Sequence, residues 1–343
     1  MKFIKRQIKK ILVIKFGGIG DVLLSTVLLP NLKDYFPKSE IYFLTHYKCR
    51  DVLSENPYIT RYLTFDFDMD ESFCFIKNIK NQKYDMIIDL FGNPRTAFVT
   101  FYSRAKYRVG YNFRNRKYAY NIVVEGRGGK IHNVDFNLDA LRKLDIPITK
   151  KHLEIFTNEY YKKSADRFIN KTITNGKKIF GIVISGGWES KKYKTNDYVE
   201  LIGKIKKQFD CNILLLWGTA DEKKECDEIH NKMKDFTYII PETNLQFLAE
   251  LMRKCSLIVA NDSGMLHLAV AAGVPVLGIY GPTNPALQGP YGDNNLTIVN
   301  ENLDCLDCNL LDCPIGNVCM TELNKDNIIS KIKGLIQINN LNL

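Results

Sequence analysis

Three stretches of this sequence combine residue types that can do chemistry. Near the N-terminus, Gly17-Gly18-Ile19-Gly20-Asp21 sets a carboxylate at the end of a glycine turn. A carboxylate there can take a proton from a hydroxyl, or it can cap the helix that follows. In the second half, Asn261-Asp262-Ser263-Gly264 runs from one apolar stretch straight into another. Free N–H groups at a helix start, with the positive end of the helix dipole, favour an anion. Gly264 keeps the approach open and Ser263 can donate its hydroxyl. His267, at i+4 from Ser263, can face the same ligand or pack against the sheet. Asp262 would repel phosphate, so it is expected to cap the helix or to accept from sugar hydroxyls and loop N–H groups. The third stretch is Cys305-x2-Cys308-x4-Cys313-x5-Cys319. It could converge on a structural zinc or iron, although the second pair is spaced more widely than a usual zinc half-site. Four reduced thiols in a compact loop is the other reading.

These residues need elements to position them. Residues 10–16 read as a β-branched strand that runs into the glycine turn, and 22–36 have apolar residues at helical spacing, closed by Pro37. Residues 40–45 form a second strand, so the unit is strand, turn, helix, strand, and the sheet is expected to be parallel. Further strands are predicted at 86–90 and 108–111, with a helix that carries Val134, Leu138, Leu141 and Leu144. Between about 150 and 176 the chain turns polar and Lys-rich, which places a domain junction there. The second half restarts with a strand at 178–184 followed by Ser185-Gly186-Gly187. It then alternates helices (196–209, 222–233, 245–253, 265–272) with strands (212–217, 238–240, 257–260, 274–280). The prediction is an α/β chain of two Rossmann-like domains, 1–156 and 157–343, facing a central cleft.

Composition narrows the function classes. The length of 343 residues suits two domains, and 45% apolar with 25% charged residues is ordinary for globular cores that need no disulfide or metal. No apolar run approaches the roughly 18 residues that cross a bilayer. The apolar segment after the basic residues 1–10 is too short for a signal peptide, so a cytoplasmic location is expected. Cys49, Cys74, Cys211, Cys226 and Cys255 read as buried thiols of a reducing compartment. The formal net charge of +10 fits either a solvated Lys-rich surface or a polyanionic partner. No zinc-finger spacing, aromatic RNA-binding motif or basic heptad supports nucleic acid. A dinucleotide fingerprint also fails. After Gly18-x-Gly20 the third glycine position is Leu23, and the second strand ends in Thr45-His46 without a ribose-binding acid.

Taken in order, four segments resemble glycosyltransferase family 9, the ADP-heptose:lipopolysaccharide heptosyltransferases. They are residues 11–24, residues 88–93 with Arg95, residues 261–268, and residues 271–283. The resemblance covers nearly the whole chain and implies the two-domain GT-B fold. It implies that Asp21 is the catalytic base and that Asp262, Ser263, Gly264 and His267 bind the donor with Ser185 and Gly186. A lysine upstream of the first helix of the second domain would meet the donor phosphates. Lys191 fits that place, with Lys192 one step away, although Tyr193-Lys194 stands where relatives often carry Trp-Pro. Glu222 occupies the place of an acid near the donor ribose, and Gly18, Gly20, Asn93 and Arg95 lie on the acceptor side.

The implied reaction is an inverting transfer of heptose from ADP-heptose to an anionic inner-core glycolipid, without a metal, since no Asp-x-Asp motif is present. Another nucleotide sugar or a different glycan or protein acceptor is the alternative. The basic residues Arg95, Arg104, Lys106, Arg108, Arg114, Arg116 and Lys117, with the N-terminal cluster, would steer that acceptor and give peripheral contact with the inner face of the cytoplasmic membrane.

Overall fold

The computed structural model describes residues 8–67 and 72–342; Lys2, Lys5 and Arg6 of the basic N-terminal stretch lie outside them. The chain forms two compact units, Met1–Phe156 and Thr157–Leu343. Each is built on one six-stranded sheet. The first contains β1 (Lys10–Ile14), β2 (Glu40–Thr45), β3 (Arg61–Thr64), β4 (Met86–Asp89), β5 (Tyr107–Tyr111) and β6 (Ile122–Val124), in the order β3-β2-β1-β4-β5-β6. The second contains β7 (Lys178–Val183), β8 (Cys211–Leu216), β9 (Thr237–Ile239), β10 (Leu257–Asn261), β11 (Val276–Ile279) and β12 (Leu296–Ile298), in the order β12-β11-β10-β7-β8-β9. All pairings are parallel. In both units the order reverses beside the first strand, which is the Rossmann arrangement, and the ligand crevice of such a sheet lies at the carboxyl ends of the two strands where it reverses.

The central strands are apolar runs because helices cover both of their faces. Every residue of β4, β8 and β10 is buried. In the second unit Phe180, Ile182, Ile213 and Val259 share a core with Tyr198, Leu201 and Ile202 of the helix Thr195–Gln208. In the first, Leu12, Ile14, Leu44 and Ile87 meet Phe65, Ile79 and Val99. The helix Glu159–Thr172, which follows the junction, begins beside a buried anchor in which Thr157 and Arg253 both donate to Glu250.

Several elements differ from the sequence reading. The single helix expected over 22–36 is two, Ile19–Ser25 and Leu28–Tyr35. Pro30 has no N–H to donate to the Thr26 carbonyl one turn earlier, and its ring crowds that carbonyl, so the helix restarts there. The edge strands β3, β6 and β12 lie outside the strands expected from the sequence. The helices Ser72–Asn81, Pro94–Tyr102 and Lys325–Ile338 were also missed. The last supplies Ile328, Ile332 and Leu335 to the second core. Cys74 is exposed, against the expectation of a buried thiol.

Asp89, at the end of β4, is fully buried and hydrogen-bonded. It accepts from the N–H groups of Phe91 (3.1 Å) and Gly92 (2.9 Å) and from the Tyr120 hydroxyl (2.8 Å). Burial pushes its carboxyl above the usual range, and the bonds from Gly92, Tyr120, Thr96 and Phe91 oppose that shift. Tyr120 reaches Asp89 by lying across Gly110 of β5, where a Cβ would stand 2.4 Å from the ring. A Gly110→Ala variant should therefore displace Tyr120 and lose about 1–3 kcal/mol of stability. A shift of the urea midpoint measures it, and a midpoint equal to that of the parent would contradict this packing.

Candidate active site

In the second unit the reversal falls between β7 and β10, so the segment after β7 and the turn after β10 meet at one edge. The turn leads into the helix Gly264–Ala271. Its sequence is apolar nearly all round, as a helix buried among neighbours must be, and Leu266, His267, Leu268, Ala269 and Ala271 are buried. Ser263, not Asp262, is the N-cap residue, and its side chain makes no capping bond. Its Oγ is buried without a hydrogen-bond partner. A buried hydroxyl left over at a helix start is a donor that a bound anion would satisfy. His267 sits one turn on and is 5% exposed.

Asp262 has a different role from capping. Its Oδ2 lies 2.6 Å from Lys191 Nζ and accepts from Thr283 Oγ1 at 2.6 Å. Lys191 also stands over the Trp188 ring, 4.0 Å from its centroid. Both charged side chains are nearly closed to solvent, at 11% and 7% exposure. A buried pair of this kind adds little net stability, because the desolvation of both ions offsets their attraction. It does fix a cation against the helix start. Lys192, the other lysine considered, turns away to Glu189 at 2.9 Å.

Ser185 and Gly186 follow β7. Ser185 Oγ donates to Glu222 Oε2 at 2.9 Å. The same oxygen accepts from the N–H groups of Gly218 (2.7 Å) and Thr219 (3.1 Å). Glu222 is thus the third residue of the helix Ala220–Lys232 and closes a capping box with Thr219. The acid expected near the donor holds the turn after β8 and accepts from Ser185 of the segment after β7. Gly186 packs against Lys192, whose Cγ a Cβ would approach to 2.8 Å.

In the first unit the reversal falls between β1 and β4, with Ile14 opposite Asp89. Gly18 is the N-cap residue of the helix Ile19–Ser25, and Gly20 lies inside its first turn rather than in the loop. Gly17 takes a φ of +125°, which a side chain would strain. Asp21 is the third helical residue. Its Oδ2 accepts from the Gly18 N–H at 3.3 Å, and its Oδ1 lies 3.9 Å from Lys15 Nζ. The side chain is 52% exposed, so the bond to Gly18 leaves it open to a reactant. Burial lowers the pKa of Lys15, against the pull of Asp21 and Asp89. Asn93 caps the helix Pro94–Tyr102 by accepting from Thr96 N at 2.7 Å, and Arg95 lies over the Phe67 ring at 5.2 Å. Of the basic set, Arg108 and Arg116 are committed to backbone carbonyls of Ala105, Ala119 and Gly92.

Cys305, Cys308 and Cys313 all lie near Cys319, and among the described residues no three His, Cys, Asp or Glu are arranged as a metal-ligand group. Cys305 and Cys308 are exposed, Cys313 is half-buried and Cys319 is buried. Burial, then the nearby Cys313, Cys305 and Cys308, pushes the Cys319 thiol up to about 11. The segment that carries them braces the loops that follow β7 and β11. Ser190 donates through Oγ to Leu310 O (2.6 Å) and through N–H to Leu311 O (3.2 Å), and Asn317 Nδ2 donates to Glu189 O (3.1 Å). Asn309 N–H reaches Pro282 O at 2.7 Å, beside Thr283. The loops that bear Lys191 and Thr283 are therefore held by one strap. Sequence reasoning missed Lys15, Asp89, Trp188 and Thr283 as partners; Thr283 closes the last family-like segment, which was a signal.

Replacing Lys191 by Met leaves Asp262 a buried charge without its cation, at an expected cost of about 3–5 kcal/mol. The double variant Lys191→Met, Asp262→Leu should recover most of that stability without regaining affinity for ADP. Urea unfolding and ADP titration calorimetry read the two effects separately. Full ADP affinity in the double variant would contradict the assignment.

Residues 73–318 match glycosyltransferase family 9 (heptosyltransferase). The chain is 24% identical over 307 residues to the lipopolysaccharide core heptosyltransferase OpsX of Haemophilus influenzae, an alignment that spans 86% of each protein. Among solved structures it is similar to a family 9 glycosyl transferase from Veillonella parvula (TM-score 0.83, 20% identity, 96% of this chain and 97% of that one). It is also similar to the E. coli heptosyltransferase WaaC with ADP (TM-score 0.73, 18% identity, 95% and 99%). These likenesses agree with the two parallel Rossmann-like sheets of a GT-B fold. With a match over well over half of its length, the chain belongs to glycosyltransferase family 9 and is a glycosyltransferase.

Proposed function

We propose that this enzyme transfers heptose from ADP-heptose to the anionic inner core of a lipopolysaccharide or lipooligosaccharide, by one inverting displacement that uses no metal. The observation that carries the reading is the buried Lys191 fixed by Asp262 beside a helix start whose Ser263 hydroxyl has no partner. Fixed positive groups aimed where a diphosphate gains charge are the main electrostatic aid to such a departure. The names of the relatives support heptose as the sugar, and a neighbour that holds ADP supports the carrier.

In this reading the 17–21 turn of the first unit supplies the base. Asp21 takes the proton as the acceptor oxygen attacks the anomeric carbon, and the bond from that carbon to the β-phosphate oxygen breaks. The electron pair leaves with ADP, which the Gly264 and Ser263 donors and Lys191 stabilise. Ser185, Gly186 and the Glu222 network shape the donor pocket, and His267 supports the helix start from below. Gly18, Gly20, Asn93 and Arg95 belong to the acceptor side. The basic residues draw an anionic glycolipid at a membrane surface; among the described residues no helix is long and apolar enough to cross a membrane.

Asp21→Asn should lower kcat for heptosyl transfer by about 10²–10⁴-fold and leave ADP affinity unchanged. Near-parental turnover in this variant would remove Asp21 from the base role. EDTA should leave the rate as it was; loss of activity that Mg²⁺ restores would overturn metal independence. Melting-temperature shifts with ADP, but not with UDP or GDP, would agree with the adenine carrier.

A further inference from the structure

We propose that the surface formed by the helix Pro94–Tyr102 and the turn Phe113–Ala119 docks on an anionic lipid bilayer. This deepens the reading above, since it assigns the part of the first unit that would meet a membrane-held acceptor. Phe98, Phe101 and Tyr118 are 49%, 48% and 56% exposed. They are not scattered. Phe101 meets Tyr118 edge-on at 6.0 Å between ring centroids, and Phe98 stacks with Tyr102 at 6.0 Å. Phe98 and Phe101, three residues apart, share one helix face. Single exposed apolar residues need no explanation, but a cluster of large aromatic rings open to water marks a binding surface.

Charge identifies the partner. Exposed Arg104, Arg114 and Lys117 stand in the same helix–turn region, and Lys80 Nζ lies 4.8 Å from the Tyr102 ring. No Asp or Glu occurs between Asp89 and Glu125. Aromatic rings settle at the level of lipid headgroups, and cations beside them are drawn to anionic lipids. A protein partner with an apolar patch would need no such excess of positive charge. Position fits as well. The helix begins at Asn93, directly after β4, the strand that lies beside β1 and its Asp21 turn. A bilayer held here lies against the same unit as the proposed base.

The test is flotation of the full chain with vesicles of phosphatidylethanolamine and phosphatidylglycerol, compared with vesicles of phosphatidylcholine alone. The parent should bind the anionic vesicles and release them at high salt. The pair Phe98→Ser, Phe101→Ser and the pair Arg104→Glu, Lys117→Glu should each weaken binding by on the order of tenfold or more. All four side chains are exposed, so thermal unfolding and ADP affinity should stay at the parent's values. Unchanged vesicle binding in both pairs would overturn the proposal, as would no binding by the parent. So would sedimentation showing that the aromatic pair abolishes a dimer while vesicle binding persists. Vesicle binding through these residues in a chain that transfers no heptose would uphold the surface and sink the transfer reading.

Discussion

The constraint on which this protein depends is the reversal of strand order in each parallel sheet. Parallel strands send every crossover back over one face or the other. Where the order reverses, two successive segments leave the sheet in opposite directions and open a crevice at the carboxyl ends. In the first unit that places the β1 turn beside the segment after β4; in the second it places the segment after β7 beside the turn after β10. Asp21 follows β1, Lys191 follows β7, and Asp262 and Ser263 follow β10. The proposed base and the proposed donor ligands belong to different units, and each unit is organised by the same rule.

Within the second unit the crevice holds a buried ion pair at some cost. Lys191 and Asp262 are held nearly out of water, where an apolar pair of similar size would give as much stability. Thr283 takes one further lone pair of Asp262, Trp188 covers the ammonium, and the cysteine-bearing strap holds the loops of both Lys191 and Thr283. Such an arrangement is easier to understand as preparation for an anion than as part of the core. A cation fixed in advance needs no reorganisation when charge develops on a leaving group.

The first unit solves a different problem. The proposed base must be open to its reactant, and Asp21 keeps about half of its side chain in solvent while one oxygen is anchored to Gly18 N–H. Beside it stand Asp89 and Lys15, where burial raises the pKa of the carboxyl and lowers that of the ammonium. Asp89 is tied through Tyr120 to β5.

The sequence by itself determined what is local. Apolar runs ending in glycine turns declare parallel strands, and a strand that enters Asp-Ser-Gly before an apolar helix offers a candidate anion site, because both depend on residues adjacent in the chain. The order of the family-like segments fixed the fold class and named Asp21, Ser263 and Gly264. Tertiary structure decided what depends on residues far apart. It separated Lys191 from Lys192, because a one-residue step around the short turn Glu189–Lys191 sends one ammonium to Asp262 and the other to Glu189. It made Asp262 the partner of Thr283 rather than a cap, and turned Glu222 to its own helix. It bound the segment that carries the C-terminal cysteines to the loops of Lys191 and Thr283. It also divided the basic set, tying Arg108 and Arg116 to backbone carbonyls and leaving Arg104, Arg114 and Lys117 outside. Spacing along a chain carries no information about which side chains a crossover will bring together, and those pairings set the electrostatics of the site.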